Sequence, residues 1–206
     1  MAGTTPGAVT PRTPRPPREE VRTRILDAAA RVVAERGLAG ASLDQVAAAA
    51  GFTKGAVYSN FASKDELFLA LLEAQSAARV TAVEESLQRT RDLPEALTAV
   101  GRELTRTDPA GELLFVEFWQ RAVRDPAVRE AFVRSRRALR ARIAAVVEAF
   151  LRSRPEAATW DAQSLTVVLL ALANGLALEE LPDPGAVPAD VVPRVLGALV
   201  THGTGS

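Results

Sequence analysis

The sequence predicts an all-α fold, with a small helix-turn-helix unit near the N-terminus and a larger helical body behind it. Apolar residues recur at three- and four-residue spacing from Glu19 onward, which is typical of amphipathic helices. Helix starts are marked by Ser or Thr followed three residues later by Gln or Glu, and helix ends by Gly or Pro. No segment shows the apolar and polar alternation of a half-buried strand.

Length and composition restrict the class of protein. With 206 residues, 48% of them hydrophobic, the chain can bury a core without disulfides or metals. Cysteine is absent, which excludes disulfides and thiolate chemistry. The formal net charge is zero, so an argument for nucleic-acid binding must come from local charge. No run is long and apolar enough for a membrane span and no secretory signal is evident, so we expect a cytoplasmic protein without membrane contact.

The two ends of the chain read as unstructured. Residues 1–17 contain five prolines among Gly and Thr and predict a disordered arm. Arg12 and Arg15 leave open a contact with a phosphate backbone, although a solvated tail is favoured. Residues 202–206 predict a flexible tail that carries the sole histidine, His202.

Helix one is predicted from Glu19 through apolar positions such as Ile25 and Val32. Gly37 follows as a stop, because glycine readily adopts the left-handed conformation that ends many helices. The spacing of these apolar residues gives the helix one buried face.

Three further helices follow in short succession. Ser42 and Gln45 form a capping box that starts helix two, which stops at Gly51, where a tight turn suits glycine. Thr53 caps a short third helix. A second capping box, 63–66, starts a fourth helix with an apolar stripe.

Two short helices joined by a glycine turn match a reader of the DNA major groove. Small residues in the second helix, Gly55 and Ala56, would let its backbone approach the DNA, and polar residues would contact phosphates and base edges. On spacing alone, an ordinary three-helix packing unit explains the pattern equally well. The polar candidates are Thr53, Lys54, Tyr58, Ser59, Asn60 and Lys64.

The stretch 42–67, SLDQVAAAAGFTKGAVYSNFASKDEL, resembles the signature of the tetracycline-repressor (TetR) family of transcriptional regulators. The resemblance covers residues 18–78 and implies a DNA-binding domain there. Ala56 departs from it, because many members have a hydroxyl residue at that position. The resemblance implies a phosphate contact from Ser42, a backbone contact from Lys64, and a recognition surface formed by Thr53, Lys54, Gly55, Tyr58, Ser59 and Asn60.

The rest of the chain is predicted to be helical, with breaks near Pro94, Pro109, Pro126, Pro155 and the 182–185 cluster. Asp125 and Pro126 open a long helix that continues to Phe150. Its arginines predict a solvated outer face rather than a nucleic-acid surface. These arginines are Arg134, Arg136, Arg137, Arg140 and Arg142.

By the same resemblance, residues 79–201 form a helical ligand-binding and dimerisation domain. Large aromatic residues and charges concentrate in 115–121, which suggests a pocket for an apolar or aromatic effector. A solvated position is favoured for Glu117, and Asn174 fits either a ligand contact or the register of a dimer. The candidate ligand-binding residues are Phe115, Glu117, Phe118, Trp119, Arg121 and Asn174.

Two apolar helices near the C-terminus are candidates for a dimer interface. The first is apolar nearly all round, as expected for a helix buried by its own core and by a partner, although a monomer core explains it equally well. The candidate interface residues are Leu165, Val168, Leu172, Leu176, Val191, Val195 and Leu199.

These patterns together predict a homodimeric transcriptional regulator that binds double-stranded DNA at a palindromic operator and is released by an unidentified small molecule. The alternative is a helical adaptor that uses the N-terminal unit for protein contacts. An enzyme is disfavoured, because the sequence lacks a phosphate-binding glycine loop, a nucleophile elbow and a metal-ligand spacing. We therefore expect neither a cofactor nor a bound metal.

Overall fold

The structure, a computed structural model, describes residues 17–106, 108–154 and 160–201. Arg12, Arg15, Pro155 and the tail 202–206 lie outside this part, so the predictions for them stay predictions. Within it the chain forms nine α-helices and no strand. The helices are α1 (Arg18–Gly40), α2 (Leu43–Ala50), α3 (Lys54–Tyr58), α4 (Lys64–Gln88), α5 (Leu93–Leu104), α6 (Pro109–Arg124), α7 (Pro126–Ser153), α8 (Ala162–Glu180) and α9 (Val191–Thr201).

The N-terminal helices begin at the predicted caps. The side-chain oxygens of Ser42, Thr53 and Ser63 accept hydrogen bonds from backbone N–H groups three residues ahead, at 3.3, 3.2 and 3.1 Å. Gly51 ends α2 with φ 69°, and Gly37 interrupts α1 with φ 68°. Gly51 therefore adopts the left-handed conformation expected of a helix-ending glycine. Gly37 instead combines its positive φ with an extended ψ of 169°, so the predicted stop at Gly37 is a kink and α1 continues to Gly40.

The body helices start in the same manner, with aspartates at their N-caps. Asp92, Asp108, Asp125 and Asp161 accept hydrogen bonds from the first turns of α5, α6, α7 and α8. Proline occupies the first turn of α5, α6 and α7, where it lacks only an N–H that would have no helical partner. The breaks predicted at Pro94, Pro109 and Pro126 are confirmed.

One apolar core runs from the N-terminal helices into the body. Ile25, Val57 and Phe61 are fully buried in the N-terminal unit, and the same cluster continues to Phe118 in α6 and Phe132 in α7. A second, smaller cluster joins α5 to α9. Because α6 contributes to the first cluster, it connects the N-terminal unit mechanically to the body.

Helices α4 and α7 run parallel along one side of the body. Arg142 Nη2 donates to Thr81 Oγ1 at 2.7 Å, and twelve positions later Arg154 Nη2 donates to Thr90 Oγ1 at 3.1 Å. The prediction of a wholly solvated arginine face on α7 is therefore wrong for Arg142, and it is also wrong for Arg136, which faces a cavity. Each guanidinium contacts a residue that is distant in sequence, Thr81 of α4 for Arg142 and Phe115 of α6 for Arg136.

Candidate DNA-binding surface and ligand cavity

The predicted recognition residues form one exposed surface on α3 and its flanks. Thr53, Lys54, Gly55 and Ser59 are exposed, and Tyr58 is 52% exposed. A side chain at position 55 would have open space, with only Thr53 Oγ1 as near as 4.0 Å. Val57 points the other way into the core, so α3 is held by one apolar face and presents a small, polar one.

Asn60 is oriented less favourably for a DNA contact than its neighbours. Its Nδ2 donates to the Ala56 carbonyl at 2.8 Å, and its Oδ1 is buried without a hydrogen-bond partner. The Ser59 hydroxyl donates to the same carbonyl at 2.9 Å, but Ser59 stays exposed. A base or phosphate contact from Asn60 therefore requires rotation of its side chain.

Both predicted lysines have protein partners in the DNA-free chain. Lys54 Nζ lies 2.6 Å from Asp44 Oδ2, and the hydrogen bond and charge of Asp44 raise the lysine pKa above its ordinary value. Lys64 Nζ donates to the Ala39 carbonyl at 3.3 Å, at the end of α1. Ser42 caps α2, and its hydroxyl donates to Gln45 Oε1 at 3.0 Å. The phosphate contact that the resemblance implies for Ser42 would therefore have to replace or share this hydrogen bond.

Two arginines near this surface were missed at the level of sequence. Arg18 Nη2 donates to the Ser59 carbonyl, and Arg22 Nη1 donates to the Asn60 carbonyl, each at 3.4 Å. Arg22 also lies over the Phe61 ring, 4.3 Å from its centroid. The only signal in the sequence was two arginines one helical turn apart at the start of α1, which local periodicity assigns to solvent.

A cavity of about 590 Å³ lies in the body and is lined mainly by α4, α5, α6, α7 and α8. This volume falls within the range of small-molecule sites in proteins, roughly 300–1,000 Å³. Most of its wall is aliphatic, with Phe115 and Phe150 as its aromatic members.

Charged and amide groups of the wall gather at one end. Arg79 Nη1 pairs with Glu112 Oε1 at 2.9 Å, and Arg79 also donates to the Arg106 carbonyl. Gln75 Nε2 donates to Asp108 Oδ2 at 3.4 Å. These contacts tie α4, the loop before α6 and the start of α6 into one polar cluster.

Two acceptors in that cluster lack hydrogen-bond donors. Gln75 Oε1 is buried without a partner. Glu103 Oε2 lies 3.4 Å from Arg106 Nε, close enough for attraction between charges, but it receives no aligned hydrogen bond. Gly111 keeps the cluster compact, because a Cβ at this position would lie 2.5 Å from Asp108 Oδ2.

Arg136 enters the same cavity from α7. Its guanidinium carbon lies 5.0 Å from the centroid of the Phe115 ring. Burial, and to a lesser extent the charge of Arg140, lowers the pKa of Arg136. Among the described residues no carboxylate forms an ion pair with it.

The candidate ligand residues divide into two groups. Phe115 and Asn174 line the cavity. The others do not, because they lie on different sides of α6 or point toward other elements. Phe118 is 1% exposed inside the N-terminal core, Trp119 is 53% exposed to solvent, Arg121 pairs with Asp65, and Glu117 is half-buried away from the cavity wall.

The candidate dimer residues are turned mostly toward the chain's own core. Leu172, Leu176, Val191 and Leu199 pack on the cluster of α5 and α9, and Leu165 is buried beside the cavity. Val168 is half-buried, and Val195 is exposed. The outward stripe of α8 consists of Val167, Ala171, Gly175 and Leu178.

Two family models match the chain. The model described as "Bacterial regulatory proteins, tetR family" matches residues 25–71, and the model described as "BetI-type transcriptional repressor, C-terminal" matches residues 93–204. The first contains the surface of α3 and the second contains most of the cavity wall.

Curated relatives match over shorter stretches. The transcriptional activator FasR of Mycolicibacterium smegmatis is 39% identical over 41% of this chain and 39% of its own length. The transcriptional repressor AcnR of Corynebacterium diphtheriae is 33% identical over 55% of this chain and 64% of its own length. The chain thus matches less than two thirds of the length of either relative.

Solved structures match over nearly the whole chain. A regulator from Rhodococcus sp., described as a putative TetR-family transcriptional regulator, is 25% identical, with a TM-score of 0.70 over 88% of this chain and 97% of that one. The agreement extends the similarity from the N-terminal unit to the helical body.

Proposed function

The chain belongs to the TetR family of bacterial regulatory proteins, and on that premise we propose that it is a cytoplasmic, homodimeric, ligand-released transcriptional repressor. The observation that carries the proposal is the exposed face of α3. Its small and polar residues are exposed to solvent, whereas Val57 is buried on the other side and fixes the helix to the core. A helix held in this way can enter the major groove without disturbing its own packing.

We propose that a second copy of the chain packs against the exposed apolar face of α8. Val167, Ala171, Gly175 and Leu178 form its exposed stripe, and Val195 of α9 is also exposed. The expectation that no segment is long and apolar enough for a membrane span is wrong for α8, which qualifies by length and composition alone, and only 11% of the residues in its most apolar window are buried. Such a face needs a partner, and a two-fold dimer supplies one together with a second DNA-binding unit.

Helix α6 provides the physical route from cavity to DNA. Its first half lines the cavity through Glu112 and Phe115, and its second half reaches the start of α4 through Arg121 and Asp65. A ligand that binds one arrangement of α6 more tightly than another shifts the populations of the positions that the N-terminal unit adopts. In the proposed repressor the ligand favours the arrangement with the lower affinity for DNA.

The proposal is tested by titrating the purified chain with fragments of the DNA upstream of its own coding region, followed by fluorescence anisotropy at several salt concentrations. We expect saturable binding of two chains per palindromic site, with an affinity that falls steeply as salt rises, because neutralised phosphates release counterions. Tyr58→Ala should lose binding while remaining folded, since Tyr58 is 52% exposed.

The matched control is Arg137→Gln, which changes an exposed residue of α7 and should bind like the parent chain. If upstream fragments bind no better than random DNA, selection from a random library decides whether the operator lies elsewhere. Failure to select any sequence would favour the adaptor, whose partner binding need not show the salt dependence of phosphate contacts.

The names of the relatives, all regulators, also support a protein that is not an enzyme.

A further inference from the structure

Of the six charged residues that line the cavity, four form ion pairs with one another, whereas Asp108 and Arg136 do not. The Asp108 carboxylate instead accepts hydrogen bonds from Gln75 Nε2 and the Gly111 backbone N–H. Arg79 has Glu112 as its partner, and Arg106 has Glu103. Arg136 has only the face of the Phe115 ring, at 5.0 Å. The polar end of the cavity therefore contains a guanidinium whose hydrogen-bond donors are not used by any carboxylate of the described chain.

An unpaired guanidinium in an apolar wall is costly, because burial removes water from a group that stays charged. The lowered pKa of Arg136 has the same cause. The cost is offset when an anion binds, since guanidinium presents a planar fork of N–H groups that fits a carboxylate or another oxyanion. Phe115 holds the fork from one face and leaves its edge for a ligand.

The remainder of the cavity calls for an apolar body. Along α7 the wall continues from Arg136 through Leu139, Ile143 and Val146 to Phe150. Fourteen positions separate the two ends of this series, which corresponds to about 21 Å along a helix. On the adjoining wall, α4 runs parallel to α7 and is also apolar beyond Arg79, with Val83 and Leu87 in the lining.

We infer, resting on the proposed function, that the effector of this cavity is an amphiphile whose anionic head binds the guanidinium of Arg136 and whose apolar body lies along α7 toward Phe150. Gln75 also lines the cavity, and its buried, unpartnered Oε1 would accept a hydrogen bond from a donor elsewhere on the ligand. The anionic group, and not a particular molecule, is what the cavity recognises.

Three probes with the same tail and different heads test this inference: decanoate, decanol and decyltrimethylammonium. Binding to the full chain is measured by isothermal titration calorimetry, below the concentration at which each probe forms micelles. We expect decanoate to bind most tightly. Arg136→Met should weaken decanoate by about 10- to 100-fold, the usual effect of losing hydrogen bonds to a charged group, and should leave decanol unchanged.

Two further variants keep the test decisive. Arg136→Lys keeps the charge but loses the planar fork, so its decanoate affinity should fall between those of the parent chain and Arg136→Met. Arg137→Gln removes the neighbouring, exposed arginine of the same helix and should change nothing. Thermal unfolding of each variant checks the fold, and Arg136→Met should retain it because the substitution removes a partly buried charge that has no ion-pair partner among the described residues.

The inference is overturned if decanol or decyltrimethylammonium binds as tightly as decanoate, if decanoate does not bind, or if Arg136→Met leaves its affinity unchanged. The DNA titration of the parent chain separates this result from the proposed function. DNA binding without decanoate binding contradicts only the anionic effector. Arg136-dependent decanoate binding without DNA binding contradicts the regulator and leaves an anion-binding cavity.

Discussion

Arg121 in α6 and Asp65 in the first turn of α4 form a two-point ion pair, with Nη1–Oδ1 and Nη2–Oδ2 distances of 2.7 and 2.6 Å. The hydrogen bonds to Asp65, and to a lesser extent the negative charge of Asp65, raise the pKa of Arg121. Asp65 also lies next to Lys64, a candidate for contact with the DNA backbone. The pair therefore joins the helix that lines the cavity to the helix that begins beside the DNA-binding surface.

Breaking this pair should loosen the junction more than it destabilises the chain. We expect Arg121→Met to speed amide hydrogen exchange in the first turns of α4, measured by mass spectrometry. The free energy of unfolding should fall by about 1 kcal/mol or less, because both side chains are roughly 40% exposed. Asp65→Asn should give the same pattern, and the double variant should add little to either one.

The control for this prediction is Arg124→Met, which changes an exposed arginine one turn further along α6. Equal exchange rates in Arg121→Met and Arg124→Met would show that the ion pair does not hold the junction.

The contact between Lys54 and Asp44 should restrain DNA binding. Lys54→Gln is expected to weaken binding to all sequences about equally and to reduce the slope of affinity against salt by about 1, as for the loss of one phosphate contact. Asp44→Asn should strengthen binding, because it frees Lys54 and removes a negative charge from the surface. Lys54 is charged at neutral pH in the parent chain and in Asp44→Asn alike, because even the ordinary pKa of lysine lies well above 7.

Anisotropy titrations at several salt concentrations measure both effects. If Asp44→Asn binds more weakly than the parent chain, Asp44 positions Lys54 for DNA and does not compete with it.

Gly55→Ala should separate stability from DNA binding. The new methyl group meets open space, and alanine is the better helix former, so the free energy of unfolding should rise by roughly 0.5–1 kcal/mol. DNA affinity should fall, because the methyl group stands between α3 and the groove. Chemical denaturation and anisotropy titration of the same sample check the two halves of the prediction; unchanged affinity would place Gly55 outside the interface.

Gly101→Ala should have the opposite effect on stability. A Cβ at position 101 would lie 2.7 Å from Pro193 Cδ and 3.3 Å from Pro193 N, between α5 and α9. The rigid proline ring and its backbone cannot move aside cheaply, so we expect a loss of about 1–3 kcal/mol in the free energy of unfolding. Urea denaturation measures this loss, and a variant as stable as the parent would show that α9 shifts without cost.

Introducing a charge into the exposed stripe of α8 should produce monomers. Val167→Glu and Leu178→Glu place carboxylates at side chains that are 57% and 51% exposed in the single chain, so folding should be preserved while association is lost. Sedimentation equilibrium measures the mass. Val123→Glu is the matched control, because Val123 is also 57% exposed but lies on α6. Monomers from Val123→Glu alone would move the interface to α6.

Local chemistry was sufficient to predict much of the secondary structure. Ser42, Thr53 and Ser63 cap helices where the sequence places them, and Gly37 and Gly51 adopt positive φ angles. Each of these features depends on contacts within about four residues, so the sequence specifies them directly.

The residues that line the cavity could not be predicted from such local sequence patterns. Of the three aromatic candidates for ligand binding in α6, Phe115 lines the cavity, whereas Phe118 and Trp119 face the core and the solvent. Residues adjacent on a helix point in directions about 100° apart, so aromatic composition does not show which side faces a cavity. The outward stripe of α8 was missed on the same ground, because a helix apolar all round gives no periodic signal.

The sequence by itself determined the N-terminal helices, their caps and the family to which the chain belongs. The tertiary structure alone decided that Arg136 faces an apolar cavity, that Arg121 pairs with Asp65 and that Arg18 reaches the end of α3. The physical reason is range: capping and periodicity act over one or two turns, whereas these contacts join residues 21 to 56 positions apart, whose approach depends on how whole helices pack.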